Sequence, residues 1–336
     1  MNSFGRIFRV HIFGESHGVC VGLTIDGCPA GIALGTDDFI ADLERRKGGS
    51  KGTTPRKEDD TPQIKTGVFE GKTTGAPITV LFDNTNTRSA DYEKQRAIPR
   101  PGHADFVAHK KFGGHEDFRG SGHFSGRLTV CLVAAGVIAK KILPGLCIES
   151  TIVEIGGETD LEKGLQKAID AKDSIGGIIE CRAKGLPVGL GEPFFDSAES
   201  LLSHAVFSIP AVRAIEFGTG FEAAKMFGST HNDPLIDETG ITKTNHAGGI
   251  VGGLTNGNEL VFRIAVKPTS STPLEQHSLN WETGKMENFS IKGRHDLCIA
   301  LRVPVILESV TAFVLADLML LEQRINRVID QPSSLR

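Results

Sequence analysis

The chain has one Trp and one Tyr beside nineteen Phe, so the aromatic platforms on which single-stranded nucleic acids stack are missing. A large charge of one sign is missing too. The net charge of -4 gives no global attraction to nucleic acid or to an anionic membrane, and any basic site must be local. Neither partner is expected. The six cysteines, at 20, 28, 131, 147, 181 and 298, form no C-x-x-C pair and lie mostly in apolar runs. That is the pattern of reduced, buried thiols in a cytoplasmic protein. The longest apolar stretches, Val130 to Leu143 and Val303 to Leu321, are interrupted by Lys140-Lys141 and by Glu308 and Asp317, short of the ~18 unbroken apolar residues of a membrane span. Arg6, Arg9, His11 and Glu15 break any signal-peptide pattern. The absence of G-x-S-x-G and of G-K-[ST] argues against a nucleophile elbow and a P-loop, and without H-x-x-x-H or H-E-x-x-H no metal site is expected.

Glycine is in excess, at forty residues against a usual share of about 7%, which predicts many turns and close backbone approaches. At 336 residues, 39% hydrophobic and 23% charged, the chain has material for one large core or two modest ones. No low-complexity linker divides it. Runs bounded by Gly, Pro, Asn or Asp predict strands at Ile7 to Phe13, Val19 to Ile25, Ile64 to Phe69, Ile78 to Phe82, Ile148 to Ile155, Ile178 to Cys181 and Leu260 to Val266. Thr36, followed by Asp37 and Asp38, reads as the N-cap of a helix with Phe39, Ile40 and Leu43 on one face. Its end, Arg45-Arg46-Lys47, would deliver three cations to the next loop. Further helices are expected from Gly126 to Leu143, apolar on most sides and therefore central, and over Asp160 to Lys172, Ala198 to Phe207 and Val305 to Val328. "GVFEGKTTGAPITVLF" (67–82) is weakly echoed by "GIVGGLTNGNELVFRI" (249–264), which suggests a duplicated unit.

Four stretches mix glycine with ionisable groups. In "FGESHG" (13–18), Ser16 and His17 are adjacent, and on an extended strand they would point to opposite faces, so acyl transfer is not expected. Taken alone, the triplet reads better as a plain bend than as a catalytic turn. In "IPRPGHADF" (98–106), Arg100 and His103 flank a Pro-Gly turn, so a fixed cation and a titratable imidazole could serve one anion; His109, beside two lysines, reads as solvated surface. "RGSGHFSGR" (119–127) leads into the central helix and could cradle an anion at its N-terminus, or be only a glycine-rich loop. Arg294, His295 and Asp296 precede the last helix and are as consistent with a surface ion-pair cluster as with a site. The basic loop with Arg45, Arg46, Lys51, Arg56 and Lys57 is offset by Glu58 to Asp60. Many cations without a metal pattern point to a polyanionic small molecule.

Taken together, "FGESHG", "DGCPAGI", "TGVFEGKTTGAPITVLFDNTN", "RPGHADF", "DSIGG", "GLPVGLGEPFFD", "SIPAVRAIEFGTGF", "TNHAGGIVGGLTNG", "VKPTSS" and "GRHDLCIALRVPVILESV" resemble the chorismate synthase family, in that family's order and over nearly the whole chain. The resemblance implies an α+β fold over 1–336: a single β-α-β sandwich domain with helices between antiparallel sheets, internally duplicated, with residues from about 329 to 336 as a tail. It implies a lyase of the shikimate pathway and of aromatic amino acid biosynthesis. The reaction is the 1,4-anti elimination of phosphate from 5-enolpyruvylshikimate 3-phosphate to chorismate, with reduced FMN required and no net redox change. A homotetramer is implied as well. Without a second, reductase-like domain in the sequence, a separate flavin reductase, with NADPH as indirect reductant, is the expected source of reduced FMN.

By the same resemblance, His17 protonates or neutralises the reduced flavin, His103 protonates the departing phosphate, and Ser16 and Asp296 assist removal of the ring hydrogen. Arg46, Arg100, Arg127 and Arg294 fall where the family holds phosphate and carboxylate groups, and Arg46 with Lys51 match positions linked to NADP. Flavin contacts are implied for His123, Phe124, Ser125, Pro210, Ala211, Gly252, Lys267, Pro268, Thr269, Ser270, Ser271 and Arg294. Two departures stand out. Where many relatives read R-G-G-G-R-S-S-A-R-E-T, this chain has "RGSGHFSGRLT", placing His123 at an expected arginine and Phe124 at a serine. The loop after Arg46 is one residue shorter and reads "KGGSKGTT". The alternative is a relative that binds FMN and phosphorylated ligands without catalysing elimination; the presence of His17, His103 and Asp296 weighs against it.

Overall fold

A computed structural model describes residues 2–54, 59–85, 96–291 and 296–325. Arg56, Lys57, Arg294, His295 and the tail at 329–336 lie outside them. The first half contains β1 (Ser3–Phe4), β2 (Arg9–Gly14), β3 (Cys20–Asp26), helix α1 (Ile40–Arg46), β4 (Gln63–Thr66), the hairpin β5 and β6 (Val68–Phe69, Lys72–Thr73) and β7 (Ile78–Asp83), then α2 (Asp105–Phe112) and α3 (Thr129–Lys141). The second contains β8 (Cys147–Ile155), α4 (Leu161–Ala171), β9 (Gly177–Lys184), α5 (Ala198–Val206), β10 (Val212–Phe217) and the short α6 (Gly228–His231). After these come the hairpin β11 and β12 (Ile250–Val251, Leu254–Thr255), β13 (Leu260–Val266), the hairpin β14 and β15 (Gln276–Asn280, Lys285–Phe289) and α7 (Pro304–Leu321).

One sheet runs β1-β2-β3-β7-β4 and the other β10-β13-β9-β8, with every pairing antiparallel. Setting β1 aside and exchanging β2, β3, β7 and β4 for β8, β9, β13 and β10 converts one order into the other. The chain is a duplicated unit. In each half a helix (α1 or α5) follows the second strand, a small hairpin precedes the strand that pairs with it, and a long apolar helix (α3 or α7) closes the unit. The echoed segments 67–82 and 249–264 are these hairpin-plus-strand pieces.

The long helices lie back to back between the sheets. Both are apolar all round, with Thr129 to Ala139 and Val305 to Leu320 entirely buried, as a central helix should be. By length and composition α7 and the stretch Arg119–Lys141 could cross a membrane, but most of each is buried inside the protein. Their close approach depends on Gly136, where a Cβ would sit 2.2 Å from the Cβ of Ser309. The charges that interrupt α7 are satisfied internally. Glu308 accepts Arg45 Nη2 at 2.6 Å and the Ser150 N–H at 3.0 Å, and Asp317 accepts the N–H groups of Arg6, Ile7 and Phe8.

Local details correct the sequence reading. Thr36 does not cap: Gly35 precedes the 3₁₀ turn Thr36–Phe39, and its N–H bonds Asp38 Oδ2 at 2.8 Å. Phe39 and Leu43 are buried but Ile40 is exposed. The cations at the end of α1 diverge, because Arg45 pairs with Glu308 and Lys47 with Glu44, leaving Arg46 to turn inward. Helix α7 ends at Leu321 rather than Val328, and Pro304 opens it at a position where a missing N–H is harmless.

Candidate active site

The "FGESHG" segment is the turn between β2 and β3, so Ser16 and His17 are not on an extended strand. Both are buried on the wall of one cavity instead of facing opposite ways. The turn is pinned from outside: Ser16 N–H bonds Gly122 O at 3.1 Å, and Asn84 Nδ2 donates to the carbonyls of Glu15 and Gly18 at 2.9 and 3.0 Å. Across from it, Gly120, Ser121 and Gly122 take φ values of 57, 72 and 51°. Only glycine fits at 120, because a Cβ there would lie 2.3 Å from His17 Cδ2 and 3.0 Å from Ser16 Oγ. Ser121 accepts a strained left-handed conformation, and its Oγ accepts Arg100 Nη2 at 2.8 Å.

The same glycine loop presents His123, whose Nδ1 donates to Gly14 O at 2.8 Å, which leaves Nε2 as the acceptor nitrogen. Ser125 accepts the Arg127 N–H at 3.3 Å, and Ser125 to Thr129, the entry to α3, line the cavity. The N–H groups of Leu128 and Thr129 are taken as well, by the carbonyls of Ser125 and of Gly126 and Arg127.

Arg46, from α1, and Arg127 are both buried, and Asp60 bridges them through one carboxylate oxygen each. Burial works against the Asp60 charge, but the two guanidinium groups outweigh it and hold its pKa below the usual carboxylate range. Arg46 Nη1 also reaches Thr129 Oγ1 at 3.4 Å, while its buried Nε has no hydrogen-bond partner among the described residues. Arg100 grips Asp105 with Nε and Nη2, both at 2.7 Å, and His103 Nδ1 lies 2.6 Å from Asp105 Oδ1. Asp296 accepts the Thr54 N–H at 2.8 Å and Arg302 Nη1 at 3.2 Å.

These groups converge on a cavity of ≈ 850 Å³. Of the residues singled out from sequence, Ser16, His17, Arg46, Arg100, His103, His123, Phe124, Ser125, Arg127, Pro210, Ala211, Lys267 to Ser271 and Asp296 all line it. Lys51 and Gly252 are not on this wall; Lys51 is exposed, and Gly252 sits in the turn of the β11 and β12 hairpin with φ 64°. Arg294 lies outside the described residues. Pro210 and Ala211 form a bend in which Ala211 takes φ 72°, and the Ala211 carbonyl accepts the Lys267 N–H at 2.9 Å. His109 is not simply solvated, since its ring packs on Trp281 at 4.7 Å and its Nδ1 meets Glu116 at 3.1 Å.

The sequence model of one family, described as chorismate synthase, matches residues 8–320. A chorismate synthase of Chitinophaga pinensis is 70% identical over 329 residues, covering 98% of this chain and 99% of the relative. The chain belongs to the chorismate synthase family. A more distant chorismate synthase, of Dehalococcoides mccartyi, is 43% identical over 362 residues, covering 98% of this chain and all (100%) of the relative. A crystal structure of chorismate synthase superposes with a TM-score of 0.73 at 26% identity, covering 95% of this chain and 93% of that chain.

Within this chorismate synthase family member, Ser121, which the glycine-rich stretch already offered as part of an anion cradle, lines the cavity, whereas Asp60, Asp105 and Arg302 were missed by sequence reasoning. Asp60 and Asp105 read as charge balance or as part of a turn, and Arg302 stands alone in an apolar run. The only available signal was that each lies within a few residues of a motif already singled out.

Proposed function

We propose that the protein is a chorismate synthase that eliminates phosphate from 5-enolpyruvylshikimate 3-phosphate with reduced FMN as cofactor. The observation that carries this reading is the convergence of His17 and His103 with Arg46, Arg100 and Arg127 on one cavity. Cavities of about 300–1,000 Å³ hold drug-sized ligands, so ≈ 850 Å³ leaves room for a cofactor beside a small substrate. Its walls also fit a flavin: Leu128, Leu132, Ile209, Pro210 and Ala211 offer an apolar surface, while Ser125, Lys267 and the Thr269 to Ser271 segment offer polar contacts.

The arginines bind and orient the substrate's phosphate and carboxylates. His103 donates a proton to the phosphate as it leaves, a general-acid role worth about 10²–10⁴ in rate. His17, held against Gly120, places a second proton donor beside the cofactor's side of the cavity. Asp296 is a carboxylate on the wall able to take up a proton released there, and the Ser16 hydroxyl can relay one only by giving up its own hydrogen as it receives another. When bound, reduced FMN supplies transient electron density to the ring and an acceptor for the hydrogen that is lost.

The protein acts in the cytoplasm as a homotetramer and receives reduced FMN from a separate NADPH-dependent reductase. Exposed Phe194, Phe195, Phe221, Phe227 and Leu235 in the second half support burial against other copies. A contact from Gly252 to flavin would have to come from a neighbouring copy. The test is anaerobic turnover of 5-enolpyruvylshikimate 3-phosphate with chemically reduced FMN. Chorismate from the wild type, with a loss of about a hundredfold or more in His103→Ala, is expected. No chorismate from folded, FMN-binding wild type would instead favour a binding protein without elimination activity.

A further inference from the structure

We propose that Asp105 is a positioning residue for His103: its carboxylate receives the Nδ1–H, so that Nε2 is the nitrogen turned to the substrate cavity. The inference rests on the proton-donor role given to His103 above and adds the group that orients it.

The 2.6 Å separation between His103 Nδ1 and Asp105 Oδ1 admits one arrangement of hydrogens. A bare Nδ1 would set a lone pair against a carboxylate oxygen; an Nδ1–H makes a short, charge-assisted bond. Arg100 Nη2, 3.1 Å from the same nitrogen, can only donate, so it cannot bond a protonated Nδ1 and serves Asp105 instead. The carboxylate is unable to surrender its role by taking up a proton. Burial opposes its charge, but the bonds from Arg100 and His103 hold its pKa well below the ordinary range, and the Arg100 N–H adds a further contact at 3.1 Å. Asp105 is also the first residue of α2, where a helix favours negative charge.

The layout separates the two faces of the ring. His103 lines the large cavity and also a small chamber of ≈ 50 Å³ behind it, whereas Asp105 lines only the chamber. The other charged or titratable groups around the chamber are Arg96, Arg100, His109, Glu116 and Asp117; His109 pairs with Glu116 and Asp117 with Arg119. On the cavity side Lys267 Nζ and Ser270 Oγ hold Gly102 O at 2.5 and 2.9 Å. The turn that carries the imidazole is therefore fixed from both halves of the chain.

Two measurements separate this inference from the reading it rests on. In the free wild-type protein, ¹⁵N spectroscopy of the His103 ring should show Nδ1 carrying a hydrogen both in the imidazolium, whose Nε2–H is the proton given to phosphate, and in the neutral ring left behind, and Asp105→Asn should lose that preference in the neutral ring. This readout needs no turnover, so it stands even if the wild type makes no chorismate. In turnover, Asp105→Asn should lose at least about tenfold in kcat, within the range of a general-acid contribution, and should have no further effect once His103→Ala is present. A neutral ring protonated at Nε2 and bare at Nδ1 in the wild type overturns the proposal. So does a kcat loss for Asp105→Asn that is the same with and without His103, since a merely structural carboxylate would act independently of the ring.

Discussion

Gly120→Ala probes the contact between the glycine loop and the "FGESHG" turn. The new Cβ would stand 2.3 Å from His17 Cδ2, 2.5 Å from His17 Nε2 and 3.0 Å from Ser16 Oγ, where ordinary carbon contacts need about 3.5 Å or more. The ring must therefore retreat by about 1 Å, and a displacement of that size at a reacting group costs about 10²-fold in rate. The left-handed φ of 57° adds roughly 1–2 kcal/mol of strain for a non-glycine residue, small against the ~5–15 kcal/mol stability of a folded domain. The variant should thus remain folded. Gly71→Ala is the matched control: φ is 72° and a Cβ there meets nothing within 4 Å, so it carries comparable strain away from the site. Urea unfolding should find both variants folded, with Gly120→Ala the less stable by the overpacking cost of about 1–3 kcal/mol, while anaerobic chorismate formation should fall about a hundredfold in Gly120→Ala alone. Equal, near-wild-type rates in two folded variants would refute the claim that His17 must occupy its observed place.

Asp60→Asn leaves Arg46 and Arg127 buried without their shared anion, and loss of one partner from such a cluster costs about 3–5 kcal/mol, measurable as a lower urea midpoint. Because the folded pKa values of Asp60 and Asp105 are depressed, their contribution is complete above the unfolded carboxylate value of about 3.9 and disappears as pH falls toward the folded values. Wild-type stability should drop steeply below that point and the Asp60→Asn profile should be flatter; parallel slopes would contradict the assignment. Burial pushes the thiols of Cys28, Cys131 and Cys181 up to about 12, whereas Cys147 is exposed. Iodoacetamide on the native protein should modify Cys147 well before those three, and early labelling of Cys131 or Cys181 would show that the central packing is wrong.

Strands with one face against the core were legible because alternation is a local property. In β13 the expected bounds and the observed ones coincide, and its residues alternate strictly between buried and half-buried. Helix α2 left no such trace: Ala108 is its single buried residue, and Phe106, Val107 and Phe112 are exposed. Arg-Ala and Glu steps within "VRAIEF" likewise hid β10, whose pairing with β13 is interrupted by a register shift. Resemblance found the site residues that carry recognisable motifs, but not their internal anions. Asp60 meets Arg127 across 67 positions of chain, and no periodicity encodes such a meeting. The position of Gly252 is a further limit, since one chain folded alone does not bring it to the cavity.

The duplicated topology has a consequence for where the cavity can form. Ser16, His17, Arg46, Arg100, His103 and Arg127 belong to the first repeat, whereas Pro210, Ala211, Lys267 to Ser271 and Asp296 belong to the second. Among the described residues neither half alone supplies the whole wall, so the cavity forms only where the two halves meet. The first half joins its opening strands by a tight bend that bears Ser16 and His17; at the equivalent place the second has the excursion that carries α4. A symmetric frame thus carries an asymmetric wall, with the crossing of Gly136 and Ser309 as the joint between its two halves.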